Sequence, residues 1–189
     1  MMSHPYWEYF LAIEDDLVKT SRYVEFHQDN ENTYSIEFAR ILLASSSEVD
    51  VMAKLLYPPV YKKDGKEVRR TIDHHQTGIT TRFSGFTTMK INVPKYGLTI
   101  QPWDDWLMNK IPFWWTSYNN VKHHRDQSYK EATLKNALYS VAGLLCIVLY
   151  YYKHEKNLSG FDTQPQLVHP EWYENFEAAS LSWPFSLPD

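Results

Sequence analysis

The sequence predicts a mainly α-helical fold: a helical bundle with an up-down core, a short β-hairpin insert and a packed C-terminal tail. Two segments near the N-terminus repeat apolar residues at helical spacing, and an apolar run of 16 residues over 137–152 is typical of a central bundle helix. A segment before that run alternates apolar and polar residues, as strands do. The length of 189 residues suits one domain, which we place at 1–156, with the insert at about 59–110 and the tail at 157–189.

The first predicted helix covers residues 6–27. Its apolar side chains recur at spacings of three, four or a multiple of these: Tyr6, Phe10, Ile13, Leu17 and Val24. Turn-forming polar residues at 28–32 end this helix. A second helix is predicted over 34–56, and Pro58 and Pro59 stop it because proline cannot continue the backbone hydrogen-bond ladder.

Residues 90–101 predict a hairpin inside the insert. Lys90–Val93 and Leu98–Gln101 alternate apolar and polar residues, and a turn-forming segment separates them. Pro94 and Pro102 follow the two strands, and proline lacks the N–H that a strand inside a sheet must donate. We therefore expect this hairpin at a sheet edge or as a two-stranded flap.

A single long helix is predicted after the insert, ending at about His154. Its start is open, since Pro112 suits a first helical position and Ser117 suits an N-cap. A short helix over 171–179 is predicted in the tail, where Pro170 begins it. The tail is too aromatic for a free linker, so we expect it to pack on the bundle or on a second subunit.

The composition excludes several classes of protein. The single cysteine, Cys146, excludes an intramolecular disulfide framework, and the first ten residues lack the basic start and apolar core of a signal peptide. The apolar run is shorter than the roughly 20 residues that cross a bilayer. We therefore expect a cytoplasmic protein with no membrane partner, in which Cys146 is a buried small hydrophobe.

Motifs for cofactors and metals are also missing. The sequence has no Walker-type P-loop, no GxGxxG and no GxSxG, so we expect no cofactor. Asp73, His74 and His75 are adjacent, but no second pair of ligands follows at metal spacing. We therefore interpret these three residues as a surface turn and expect no metal site.

Charge is distributed unevenly along the chain. Residues 54–153 contain 15 Lys/Arg against 7 Asp/Glu, whereas the two flanks together contain 4 Lys/Arg against 16 Asp/Glu. Such segregation is typical of a protein with one face that attracts an anion such as nucleic acid. The alternative is that basic and acidic segments pair with each other in the folded protein.

One constellation predicts a candidate site at the start of the long helix. If the helix is continuous, helical spacing places Asn119 and His123 on the same inward stripe as its later apolar residues. Lys122 and Arg125 fall to one side of that stripe. Polar groups that face a bundle interior need partners, and the serine-rich middle of the second helix, together with Glu48, is expected to supply them.

This constellation predicts an anion-binding or acid–base pocket. His123 has the intrinsic pKa to move protons near neutrality, and Lys122 and Arg125 can hold a phosphate. Asn119 and Glu48 would then orient these groups. The alternative is structural, with Asn119 and His123 only tying the helix to its neighbours. The adjacent His124 points away from the stripe and is expected at the surface.

Three segments resemble bacterial members of the HEPN superfamily (higher eukaryotes and prokaryotes nucleotide-binding). They are RILLASSSE over 40–48, WWTSYNNVKHHR over 114–125 and ATLKNAL over 132–138. The resemblance covers about residues 6–58 and 110–153. It implies an all-helical bundle that is either a metal-independent ribonuclease of stress or defence systems or a non-catalytic RNA-binding or partner-binding module.

The chain departs from the nuclease motif of that superfamily, which is an Arg followed four to six residues later by a His on a late helix. No Arg precedes His123 or His124 at that spacing. Arg22 with His27, and the Arg69–Arg70 pair with the histidines at 74 and 75, satisfy the spacing in the first helix and in the insert.

Two functional hypotheses follow from the sequence. The first is an RNA- or nucleotide-directed protein of bacterial stress or defence, acting as a metal-independent ribonuclease through His123, Arg125 and Asn119. The second is a non-catalytic dimerisation or partner-binding module. The expected partners are RNA or a nucleotide under the first hypothesis and a second copy of the chain under the second.

Overall fold

The computed structural model describes residues 4–57, 71–155, 161 and 163–171. It confirms a mainly α-helical fold with a small antiparallel sheet. The helices are α1 (Pro5–Thr20), α2 (Ile36–Leu56), α3 (Ile72–Arg82), α4 (Phe113–His123), α5 (Arg125–Ser128) and α6 (Leu134–His154). The strands are β1 (Ile91–Val93), β2 (Leu98–Ile100) and β3 (His169–Pro170).

The core forms around α6, which packs along α2 and is flanked by α1 and α4. Most residues of α6 are buried. At the centre, the Ser45 hydroxyl on α2 donates a hydrogen bond to the Ser140 hydroxyl on α6, at 2.7 Å. On another side of α6, Gly143 leaves room for the Trp114 ring, and a Cβ added there would lie 2.9 Å from Trp114 Cζ2. Small residues therefore set how closely the neighbouring elements approach α6.

The start of α2 agrees with its prediction to within two residues. Ser35 caps the helix, because its hydroxyl accepts a hydrogen bond from the Phe38 N–H at 3.1 Å. The first helix is shorter than predicted, since α1 ends at Thr20 and not near residue 27. The hydroxyls of Thr20 and Ser21 donate to the carbonyls of Leu17 and Val18, at 2.7 and 2.8 Å, and such bonds compete with continuation of the helix.

The hairpin is confirmed, but it belongs to a three-stranded sheet. β1 pairs antiparallel with β2 on one side and with β3 on the other, in the order β2-β1-β3. Asn92 lies opposite His169, and Ile91 lies opposite Pro170. Of the two predicted alternatives, the position at a sheet edge is confirmed for β2, and the two-stranded flap was wrong, since β1 is the central strand. Its second neighbour, β3, comes from a segment more than seventy residues further along the chain.

Residues 163–171 of the predicted tail pack against the bundle. The Glu14 carboxylate on α1 is buried and accepts hydrogen bonds from three successive backbone N–H groups, those of Gln166, Leu167 and Val168, at 2.9, 2.8 and 3.0 Å. Burial raises the pKa of Glu14, and these three bonds oppose the rise. The predicted helix over 171–179 lies almost wholly outside the described residues.

The prediction of one long helix was wrong, because the helix is interrupted between α4 and α6, although α6 ends at His154 as predicted. The side chain of Thr133 accepts from the Asn136 N–H at 3.2 Å and so begins α6 as a new helix. Glu131 holds the break in place. Its carboxylate accepts from the Asn120 side-chain amide at 3.0 Å, and its carbonyl accepts from the Asn136 side-chain amide at 2.7 Å. Helical spacing therefore does not relate the directions of side chains before residue 124 to those of side chains after residue 133.

α6 is long and apolar enough to cross a membrane by length and composition alone. It has 21 residues, five more than the apolar run from which it was predicted. However, 83% of its most apolar window is buried inside the protein. Its neighbours α1, α2 and α4 supply that burial, so α6 has the surroundings of a core helix in a soluble protein.

Candidate functional site

An open cleft of about 530 Å³ lies between α2, α3 and α4. This volume is in the range typical of small-molecule sites. The cleft is lined by polar side chains from all three helices and by aromatic residues of α4. Its polar lining includes Asp50, Lys54, Asp73, Asn119, Lys122 and His123.

Three of the predicted site residues, Asn119, Lys122 and His123, meet at this cleft. The prediction that His123 faces the bundle interior was wrong, since its side chain is exposed in the last turn of α4. The predicted inward direction assumed that α4 and α6 share one axis, which the break at 124–133 prevents. The side chains of α4 that enter the core are instead Trp114, Trp115, Tyr118 and Val121.

Lys122 is held by an aromatic partner on its own helix. Its ammonium donates a hydrogen bond to the Tyr118 hydroxyl at 3.0 Å and lies 5.1 Å from the centre of the Tyr118 ring. Neither contact neutralises the charge, and within the described residues Lys122 forms no salt bridge. The result is an exposed cation that is positioned at the cleft and has no carboxylate partner among the described residues.

The two asparagines of α4 have different roles. Asn120 is fixed, because its amide nitrogen donates to both carboxylate oxygens of Glu131 at 3.0 and 3.2 Å. Asn119 donates to the Trp115 carbonyl at 3.2 Å, four residues earlier in the helix. That bond uses the amide nitrogen of Asn119 and leaves its oxygen as an acceptor at the cleft lining.

The opposite wall of the cleft contains residues that the sequence did not single out. Lys54, in the last turn of α2, forms a salt bridge with Asp50 one turn earlier. Both side chains line the cleft, so Lys54 reaches it as a cation that already has a partner. A Lys that follows an Asp by four residues is typical of an exposed helix surface, and this explains why sequence reasoning missed it.

The Asp73–His75 segment is not the predicted surface turn, because it forms the first turn of α3. The His74 ring accepts from the Thr71 backbone N–H at 3.1 Å, which caps the helix. His75 is buried at the cleft, with its ring 6.4 Å from the Tyr57 ring. Within the described part of the chain, no group of three or more His, Cys, Asp or Glu side chains could hold a metal ion.

Two predicted site residues lie away from the cleft. Arg125 is exposed in α5 and does not line it. Glu48 lines a separate groove between α1 and α2, so it does not support His123 as expected. Ser45, three residues before Glu48 in the sequence, is hydrogen-bonded to Ser140 in the core.

Cys146 is fully buried in α6, and burial raises the pKa of its thiol. A thiol that holds its proton this strongly is a poor nucleophile. This agrees with the interpretation of Cys146 as a small hydrophobic residue of the core.

The chain matches no protein-family model, no curated protein and no solved structure. The resemblance to HEPN proteins therefore stays a prediction from the sequence.

Proposed function

We propose that the protein binds RNA or a nucleotide at the cleft between α2, α3 and α4 and cleaves RNA there without a metal. The observation that carries the proposal is the placing of Lys122 and His123 side by side at the mouth of one cleft of nucleotide size. A phosphate needs a cation and a polar lining, and RNA cleavage needs an acid–base group that reaches the substrate.

Lys122 is the residue that best fits the phosphate-binding role. Its ammonium is exposed, is directed by Tyr118 and has no carboxylate to neutralise it within the described residues. A phosphate can therefore bind without first displacing an ion pair. Lys54 on the opposite wall can add a second contact, but only in competition with Asp50.

His123 fits the acid–base role better at the surface than it would inside the bundle. Imidazole is the side-chain group most often used for proton transfer in catalysis, and at the surface His123 can reach an RNA substrate. When His123 takes the proton of the 2′-hydroxyl, the 2′-oxygen forms a bond to the neighbouring phosphorus and the bond from that phosphorus to the 5′-oxygen breaks. The departing 5′-oxygen takes a proton from solvent, so the products are a 2′,3′-cyclic phosphate and a 5′-hydroxyl, and Lys122 can stabilise the charge that develops on the phosphate oxygens.

The test is cleavage of mixed labelled RNA by the purified protein in the presence of EDTA. We expect cleavage by the wild-type protein and by His124→Ala, and no cleavage by His123→Ala. His124 is the matched control, because it is the adjacent exposed histidine and does not line the cleft. Equal activity in all three proteins would contradict the assignment of His123.

The second candidate function is a non-catalytic partner-binding module. It is supported by the departure from the HEPN nuclease motif and by three exposed apolar side chains in one short segment, Leu107, Met108 and Ile111. Ile111 also lines the cleft. RNA binding that weakens steeply with salt, in a protein that never cleaves RNA, would favour RNA binding without catalysis. No RNA binding at all would favour a protein partner.

A further inference from the structure

The outer face of α2 forms a continuous stripe that no described element covers completely. Arg40, Ala44, Glu48, Val51 and Leu55 all project within about 40° of the direction of Ala44. Val51 and Leu55 are 41% and 38% exposed, which is high for aliphatic side chains on a core helix. This stripe is separate from the cleft, which uses other residues of the same helix.

A groove of about 460 Å³ runs along this stripe beside α1. Arg40, Ala44 and Glu48 line it, together with Tyr9 of α1, whose side chain is 49% exposed. The groove therefore combines an apolar wall with one cation, Arg40, and three carboxylates, those of Asp16, Glu37 and Glu48. Arg40 and Glu48 lie about two helical turns apart.

Two of these charges, on Arg40 and Glu48, are poorly satisfied within one chain. Glu48 is half-buried, and within the described residues it has no salt-bridge partner. Burial alone raises the pKa of Glu48. In the part of the chain that the structure describes, Arg40 pairs only with Glu37 on the same helix, at 2.6 Å, and both side chains are exposed. Exposed pairs of this kind contribute little stability, so Arg40 can exchange its partner easily.

The spacing of these charges is self-complementary. Arg40 and Glu48 lie four residues on either side of Ala44, which places them about 12 Å apart along the helix. A two-fold axis through Ala44 makes the α2 helices of two copies antiparallel. It brings Arg40 of each copy level with Glu48 of the other, so the pairing is made twice in a closed dimer.

The same axis also brings two exposed apolar side chains of α2 to similar levels, although Ile36 projects about 80° from the direction of Ala44 and so lies outside the stripe. Ile36, which is 67% exposed, and Val51 lie eight and seven residues from Ala44 in opposite directions. Across the axis they are level to within one residue. Ala44 itself is small, so the two helices can approach closely where they cross.

From this register we propose that α2 forms an antiparallel, two-fold symmetric contact with α2 of a second copy of this chain, with an Arg40–Glu48 ion pair on each side of the axis. The contact is independent of the proposed RNA function, because Lys122 and His123 lie on α4, outside the groove. RNA cleavage and dimer formation can therefore fail separately.

The test is the mass of the protein in solution, measured by sedimentation velocity over a wide range of protein concentrations. We expect the wild-type protein to be a dimer. Arg40→Glu and Glu48→Arg each place like charges opposite one another at both symmetry-related positions, so we expect the dimer dissociation constant of each to rise by about tenfold or more. The double variant Arg40→Glu/Glu48→Arg restores opposite charges and should recover the dimer.

Arg22→Glu is the matched control, since it makes the same change of charge at an exposed position of the chain outside the groove. It should leave the dimer intact. A monomeric wild-type protein at every concentration would overturn the proposal and leave the groove to another partner. Single variants that dimerise like the wild type, or a double variant that stays monomeric although both singles are folded, would overturn the register.

Discussion

α4 and α6 belong to one amphipathic pattern in the sequence, yet the folded protein uses them in opposite ways. α6 is surrounded on nearly all sides and has few polar side chains that reach solvent. α4 buries four side chains against the core and exposes Lys122 and His123 at its last turn. α6 holds the bundle together, and α4 presents a charged surface to a cleft.

The difference originates in the break at 124–133. A continuous helix would have carried His123 into the core beside the apolar residues of α6. The new start of α6 at Thr133 and the bonds of Glu131 to Asn120 and Asn136 turn the chain instead. Lys122 and His123 therefore end at the surface, where they can meet a ligand. Substitutions in the core and substitutions at the cleft should then have separate effects.

The largest effect is expected at the contact between the two helices. Gly143→Val places branched carbon atoms where a single Cβ would already lie 2.9 Å from Trp114 Cζ2, and Trp114 is fully buried. We expect a loss of about 2–3 kcal/mol in the free energy of unfolding, measured by urea denaturation. The control, Thr116→Val, introduces the same side chain at an exposed position of α4 and should change stability little. Equal losses in the two variants would contradict the packing described here.

The next largest effect is expected at Glu14, whose hydrogen bonds to residues 166–168 form a polar anchor for the C-terminal segment. This anchor contrasts with the apolar packing of α6. Glu14→Ala leaves three backbone N–H groups without their acceptor. We expect a loss of about 1–3 kcal/mol in thermal or urea unfolding. Glu8→Ala, an exposed glutamate of the same helix, is the control and should be close to neutral.

The pH dependence of this anchor follows from its raised pKa. Between the ordinary value of 4.5 and the raised pKa, the folded protein holds the Glu14 proton more tightly than the unfolded chain. The contribution of Glu14 to the free energy of unfolding should therefore fall as pH rises through this window. The difference in stability between wild type and Glu14→Ala should shrink over the same window. A difference that grows with pH would contradict the stated direction of the shift.

A smaller effect is expected at the hydroxyl pair between α2 and α6. Ser140→Ala removes the Ser140 acceptor of the Ser45 hydroxyl, whose single proton can then turn to the Ile41 carbonyl, 2.7 Å away. We expect a cost of about 0.5–1.5 kcal/mol for this variant. Ser45→Ala/Ser140→Ala should cost less than the sum of the two single variants, because each single removes the same bond. Strict additivity in a double-mutant cycle would show that the two hydroxyls are not coupled.

The sequence predicted the helical fold and the bounds of α2 well, because apolar residues recur at helical spacing through the helix and two prolines follow its end. It failed at the break between α4 and α6, because the bonds of Glu131 to Asn120 and Asn136 form only in the folded chain. β3 was missed because a two-residue strand has no periodicity of its own. Of the site, Asn119, Lys122 and His123 were found together through one short tract. Lys54 was missed because only the folded chain brings α2 opposite α4.

The central claim is that the end of α4 holds RNA phosphate through Lys122, and salt-dependent RNA binding tests it most directly. We would measure the affinity for single-stranded RNA over a range of salt concentrations for wild type, Lys122→Ala and Lys130→Ala, an exposed lysine outside the cleft. We expect Lys122→Ala to bind more weakly and to reduce the slope of log affinity against log salt by about 0.7, the loss of one phosphate contact. We expect Lys130→Ala to match the wild type. An unchanged slope and affinity in Lys122→Ala would contradict the account.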